Sequence, residues 1–88
     1  MTFPVNINLS KYALEQEALD LLVPTVCMRL AAIPVCIVNN TLVVAMAEPD
    51  NRAHLDELKL STGLDIEPVK APRIDILTAI KKWYSVEQ

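Results

Sequence analysis

Glycine is almost absent from this chain, which has one glycine, Gly63, among its 88 residues. A phosphate-binding P-loop needs two glycines and a lysine followed by serine or threonine, and a dinucleotide-binding fingerprint needs three glycines. Neither loop can form here, which excludes nucleotide hydrolases and other enzymes built on these two motifs.

Histidine and cysteine are also too scarce to predict a catalytic or metal centre. The nucleophile nearest to His54 on its helix face, Ser61, lies two turns away, beyond hydrogen-bond reach, so we expect a solvated surface side chain. Cys27 and Cys36 lie inside apolar runs at a spacing that is not a zinc motif, and we expect buried, unpaired thiols of a reducing compartment. Asp56 and Glu57 look exposed rather than poised for acid–base chemistry. The sequence therefore predicts no catalytic residue, no metal ligand and no cofactor.

Basic charge is scarce as well, because the formal net charge is −3. Proteins that bind nucleic acid normally carry a basic stripe, so we expect no nucleic-acid partner. Lys70, Arg73, Lys81 and Lys82 fit either a solvated helix face or a patch for an acidic partner. No signal peptide is visible, and no apolar run approaches the roughly 20 residues of a membrane span. We expect a cytoplasmic domain that does not insert into the membrane and that could be recruited to its inner face.

Hydrophobic residues, in contrast, make up 52% of the chain and recur in seven segments. Their periodicity predicts a single α+β domain over residues 1–88, in which residues 1–10 form a loose lead-in. The predicted domain has a small three-stranded sheet and four helices in the order ααββαβα. The helices are predicted at 14–22, 24–32, about 51–62 and 72–84, and the strands at 34–38, 41–47 and 64–69.

The run from Leu42 to Ala47 is continuously apolar, as in a strand covered on both faces, so it is predicted to be the central strand. Asn39 and Asn40 precede it and predict a hairpin turn. Pro68 predicts an edge position for the last strand, because proline cannot donate to a ladder.

The last helix carries more apolar residues than a sheet-facing stripe of about 100° needs. They are Ile74, Ile76, Leu77, Ile80, Trp83 and Tyr84. Two explanations stay open: neighbouring helices cover the excess, or Ile76 and Trp83 at its flank contact a protein partner. If the second explanation holds, the partner binds the final helix or the sheet edge beside it rather than a pocket. Leu60, which falls opposite Leu55 and Leu58 on its helix, is expected to be exposed.

Several segments together resemble a known pattern. They are the lead-in from Val5 to Tyr12, Ile33-Pro34, the segment Leu42–Asp50 with its Val-Ala-Met-Ala run, Thr62–Ala71 with its Thr-Gly and Pro-Val elements, and Ile76–Tyr84. Over about residues 5 to 84 the chain is similar to the amino-terminal domain of bacterial type II secretion and type IV pilus assembly ATPases.

The resemblance implies a non-catalytic adaptor that tethers a secretion or pilus motor ATPase to the cytoplasmic part of an inner-membrane assembly protein, or to another motor component. It also implies an alternative, since some members of the family bind cyclic di-GMP through tandem motifs of the type RLGxxLxxxG in an upstream segment. Here Arg29-Leu30 is followed by Ala31 and no motif glycine is present, and we expect the upstream segment to be missing. We therefore disfavour cyclic di-GMP sensing, and we expect either an excised domain or a short protein that carries the module.

Overall fold

The computed structural model, which describes residues 7–9 and 13–84, contains four helices and a three-stranded sheet in the predicted order. The elements are α1 (Gln16–Leu19), α2 (Pro24–Leu30), β1 (Ala32–Val38), β2 (Thr41–Met46), α3 (Arg52–Thr62), β3 (Asp65–Lys70) and α4 (Arg73–Tyr84). The predicted α+β class is confirmed. The predicted lead-in lies outside the described residues except for Ile7, Asn8 and Leu9.

β2 is the central strand, as predicted, because the strand order is β1-β2-β3. It pairs antiparallel with β1 through a hairpin in which Asn39 takes a left-handed conformation with φ of 54°. It pairs parallel with β3 on its other side. Every residue from Leu42 to Met46 is buried, so both faces of this strand are covered.

Proline occupies both edge strands at the same level of the sheet. Pro34 of β1 and Pro68 of β3 both lie opposite Val44 of β2. The Asn40 and Met46 carbonyls accept hydrogen bonds from the chain of β3, so the residues of β2 with even numbers, Val44 among them, turn their polar groups toward β3. Both prolines therefore lie where a missing N–H interrupts no hydrogen bond to β2.

The outer edges of the sheet are partly capped by other segments. On β1, the Glu15 N–H donates to the Val35 carbonyl at 3.0 Å, and the Glu15 carboxylate accepts from the Ile37 N–H at 3.2 Å. On β3, the Lys70 carbonyl accepts from the Ile7 N–H at 2.9 Å. Each of these hydrogen bonds occupies a backbone group that a further strand would need in order to pair with that edge.

The first two helices are shorter than the periodicity predicts. Glu15 is held in an extended conformation by its bonds to β1, so α1 begins only at Gln16 and ends at Leu19. Ala31 takes a left-handed conformation with φ of 51°, which ends α2 at Leu30 and lets β1 begin two residues earlier than predicted.

The third helix follows its sequence signals closely. Its N-terminus is capped by Asn51, whose side-chain oxygen accepts from the His54 N–H at 3.1 Å. Its C-terminus is set by Gly63, which adopts the left-handed φ of 73° that glycine tolerates best.

The core lies around β2. Helix α4 packs against α2 and against β1 and β2, whereas α1 contacts β1 and α3 contacts β3. The largest fully buried side chains include Leu19, Leu30, Ile33, Leu42 and Met46. None of the helices in the described parts of the chain is long and apolar enough to cross a membrane.

Candidate interaction surface

The described residues bring together no group of three or more His, Cys, Asp or Glu side chains that could hold a metal ion. Glu57 instead pairs with Arg29 of α2, whose hydrogen bond holds the pKa of the Glu57 carboxyl below its usual range. Both side chains are substantially exposed, so this pair adds little stability.

The prediction of a solvated His54 is wrong. The side chain is half-buried, because residue 54 shares a helix face with the fully buried Leu58 one turn later. Its Nδ1 atom is buried and makes no hydrogen bond to the described part of the chain. The described nucleophiles and carboxylates make no hydrogen bond to this nitrogen, a contact that general acid–base use of a histidine needs.

The two residues that the sequence placed on a partner surface, Ile76 and Trp83, differ in burial. Ile76 is 0% exposed and belongs to the core, which corrects the prediction that it flanks a partner surface. The physical reason is that α4 packs against α2, β1 and β2, and Ile76 belongs to the core cluster that these elements share. Trp83 is half-buried, so its indole ring packs on the core and still reaches solvent. Its role in binding a partner remains a prediction.

Trp83 forms one end of a groove of about 200 Å³ between α4 and the lead-in. Asn8 and Leu9 line one side, and Asp75, Thr78, Ala79, Lys82 and Trp83 line the other. The α4 residues lie at positions i, i+3, i+4, i+7 and i+8, which places them on one helix face. That spacing is visible in the sequence, but the opposite wall depends on where the chain before α1 packs, which periodicity does not report.

Lys82 lies directly over the indole ring, with its Nζ 5.6 Å from the ring centroid. This distance is within the range of a cation–π contact, which restrains both side chains. Lys70, Lys81 and Lys82 are exposed and available to acidic groups of a partner, whereas the exposed Arg73 lies 3.7 Å from the Glu48 carboxylate.

The Tyr84 hydroxyl fastens the last turn of α4 to the first two helices. It donates to the Leu19 carbonyl at 2.8 Å and accepts from the Cys27 thiol at 3.5 Å. Burial is the main cause that raises the pKa of Tyr84, so the hydroxyl keeps its proton for this contact. Because Trp83 directly precedes it, the Tyr84 contact also holds the helix backbone that carries the indole ring.

The cysteines are unpaired, as predicted, but only one is buried as predicted. Cys27 is 0% exposed, and burial raises the pKa of its thiol. Cys36 is half-buried, because β1 has an irregular register between Pro34 and Cys36 near an outer edge of the sheet. Partial burial and, to a smaller extent, the Glu15 carboxylate raise the pKa of the Cys36 thiol.

We expect a thiol-reactive disulfide reagent to label Cys36 at least about tenfold faster than Cys27, because the thiolate must be accessible to react. The Cys36 rate should keep rising above pH 8.5, the approximate pKa of a free thiol, since its pKa is raised. Stopped-flow absorbance on the wild type and on Cys36→Ser separates the two rates. Equal rates in the folded protein, or a mass two units low from a disulfide, would contradict the assignment.

Other exposed apolar side chains are scattered. Leu60 is 86% exposed, which confirms its predicted exposure, and Ile74 and Val23 are 69% and 58% exposed. They belong to α3, to α4 and to the segment before α2. Single exposed apolar residues are common on protein surfaces, so these three do not form a site.

Comparison with known proteins gives a consistent family. The family described as the MshEN domain matches the chain over residues 1–88. The type IV pilus assembly ATPase PilB of Myxococcus xanthus (strain DK1622) is 34% identical over 79 residues. That alignment covers 90% of this chain and 14% of PilB.

Solved structures show the same fold. The structure of MshE with cdg superimposes with a TM-score of 0.84 at 24% identity, covering 92% of this chain and 59% of that one. The N-terminal domain of XpsE superimposes with a TM-score of 0.80 at 19% identity, covering 92% and 57%. The chain thus spans a small part of PilB and a little over half of each solved chain.

Proposed function

The chain belongs to the MshEN domain family, the N-terminal domain of secretion and pilus ATPases, and from that premise we propose that it is a non-catalytic protein-interaction domain. In this role it tethers a secretion or pilus motor ATPase to the cytoplasmic part of an inner-membrane assembly protein. The domain then works in the cytoplasm and is brought to the membrane by its partner.

The half-buried Trp83 beside its groove is the observation that carries this proposal. Tryptophan is enriched among the residues that contribute most of the binding energy at protein interfaces. It contributes this energy where its ring is packed against the protein but can still be reached by a partner. Here the Tyr84 contacts hold the last turn of α4, and the Lys82 ammonium and the core restrain the Trp83 ring before any partner arrives. A preorganised aromatic loses little conformational freedom on binding.

Cyclic di-GMP sensing is the second candidate, because the MshE structure was solved with cdg, the abbreviation for that nucleotide. Two observations disfavour it for this chain. The single glycine, Gly63, ends α3 and serves no nucleotide loop. The α4 groove, at about 200 Å³, is smaller than the roughly 300–1,000 Å³ of small-molecule sites. The depression of about 510 Å³ beside Asp56, Lys59, Leu60 and Gly63 is more open, and Lys59 is the one basic side chain among its described lining residues.

The test is titration calorimetry of the purified chain against the purified cytoplasmic part of the inner-membrane assembly protein that operates with its motor. We expect micromolar or tighter binding, and we expect Trp83→Ala to weaken it by tenfold or more, as for an aromatic anchor. Leu60→Ala, which truncates an apolar side chain that is 86% exposed on α3 and outside the groove lining, is the control.

The same calorimeter distinguishes the second candidate. Cyclic di-GMP and ATP, each titrated to 1 mM, should give no binding heat. Micromolar binding of cyclic di-GMP together with no binding of the assembly protein would replace the adaptor role with nucleotide sensing.

A further inference from the structure

We infer that the α4 groove is built for one apolar side chain of a partner protein segment that carries a basic residue on one side of it and an acidic residue on the other. This inference rests on the proposed function and specifies the chemistry of the partner. It comes from the size of the groove and from the charges at its two ends.

The size argues for a single side chain. The groove encloses about 200 Å³, with the small Ala79 in its lining and the Trp83 ring at one end. Ala79 is 6% exposed, so an atom resting on it is shielded from water on that side. This volume is enough for one apolar side chain to bury part of its surface against Ala79 and Trp83.

The charges argue for the flanking residues. Asp75 lies in the first turn of α4 and Lys82 in the last turn, seven positions apart on the same face. A rise of 1.5 Å per residue puts their backbones about 10 Å apart along the helix axis. A segment lying along α4 therefore meets a carboxylate at one end of the groove and an ammonium at the other. Complementary charges would fix its register over the apolar contact.

Trp83 is the only tryptophan in the chain, so its fluorescence reports on the groove alone. The probes are three synthetic helical peptides of 14 residues with leucine at the centre. One carries Lys and Glu seven positions apart, one carries two Lys and one carries two Glu at those positions. A fourth peptide, with Lys and Glu, has serine in place of leucine.

At low salt we expect the Lys/Glu leucine peptide to shift the Trp83 emission to shorter wavelength. It should bind about two- to fivefold tighter than either like-charged peptide, the range that exposed ion pairs give. The serine peptide should bind at least tenfold more weakly than its leucine counterpart, because it buries no apolar side chain. In 0.5 M NaCl the charge preference should shrink, and the leucine preference should persist.

Asp75→Lys should switch the preference to the peptide with two Glu, since both ends of the groove are then basic. Asp75→Asn only removes the carboxylate, so it should weaken the preference for the Lys/Glu peptide without reversing it. Asp56→Lys on α3 changes the net charge as Asp75→Lys does, outside the groove, and is the matched control. Circular dichroism verifies that each variant is folded. If the wild type does not rank the peptides as stated, or if Asp75→Lys keeps the wild-type ranking, the inference is wrong. The adaptor role is judged separately by titration with the intact assembly protein.

Discussion

Val44→Asp is expected to leave the protein unfolded at 25 °C. Val44 is 0% exposed in the central strand, between the two edge strands and with both faces covered. The substitution removes apolar burial of about 1.5–3 kcal/mol and introduces a carboxylate whose unpaired burial costs several kcal/mol more. A domain of this length has a total stability of only about 4–13 kcal/mol, at roughly 0.05–0.15 kcal/mol per residue.

Circular dichroism melts and urea titrations measure this effect. The matched control is Val23→Asp, the same change at a residue that is 58% exposed and stands at the N-cap of α2. An N-cap carboxylate accepts helix N–H groups, so this variant should melt at the wild-type temperature or a few degrees higher. A Val44→Asp protein that melts within a few degrees of the wild type would show that β2 is not the centre of the core.

Ile76→Ser should lower the melting temperature by about 10–40 °C. Truncating a buried isoleucine costs about 2–5 kcal/mol, and the serine hydroxyl adds a buried polar group without an assigned partner. For a domain of this size, 1 kcal/mol corresponds to about 4–8 °C. The loss should be seen with or without any partner, because the side chain is 0% exposed.

Ile74→Ser provides the comparison within the same helix, since Ile74 is 69% exposed and should change stability by less than about 0.5 kcal/mol. Differential scanning calorimetry of the pair measures the contrast. Equal melting temperatures for the two variants would mean that α4 does not pack on the sheet through Ile76.

The elements that could be predicted from sequence are those with a strong local cause. The apolar run of β2 requires cover on both faces, and Asn51 and Gly63 set the ends of α3 through their own side chain and backbone. The start of α1 could not be predicted, because it depends on Glu15 bonding to β1, a strand about 20 residues later in the chain. Periodicity reports which face of a segment is apolar, but it does not report which polar groups a distant strand will take.

The candidate surface was predictable only in part, for a similar reason. The helical spacing of α4 places Ile76 and Trp83 on a broad apolar arc, and both looked equally suited to a partner. Only the packing of α2 and the sheet decides that Ile76 is covered and that Trp83 is reachable. The burial of His54 and Cys36 differs from the prediction for the same reason. Both side chains are half-buried, and that depends on their tertiary neighbours and not on the residue type.

The two prolines opposite Val44 also affect whether the sheets of neighbouring molecules can pair edge to edge. Open sheet edges are where folded proteins join each other and begin to aggregate. Pro34 and Pro68 remove a donor from each outer edge, and Glu15 and Ile7 occupy further edge groups. A chain with 52% hydrophobic residues is thereby less prone to join its sheet to that of a neighbouring molecule. The same backbone groups are withheld from any partner that would bind by adding a strand.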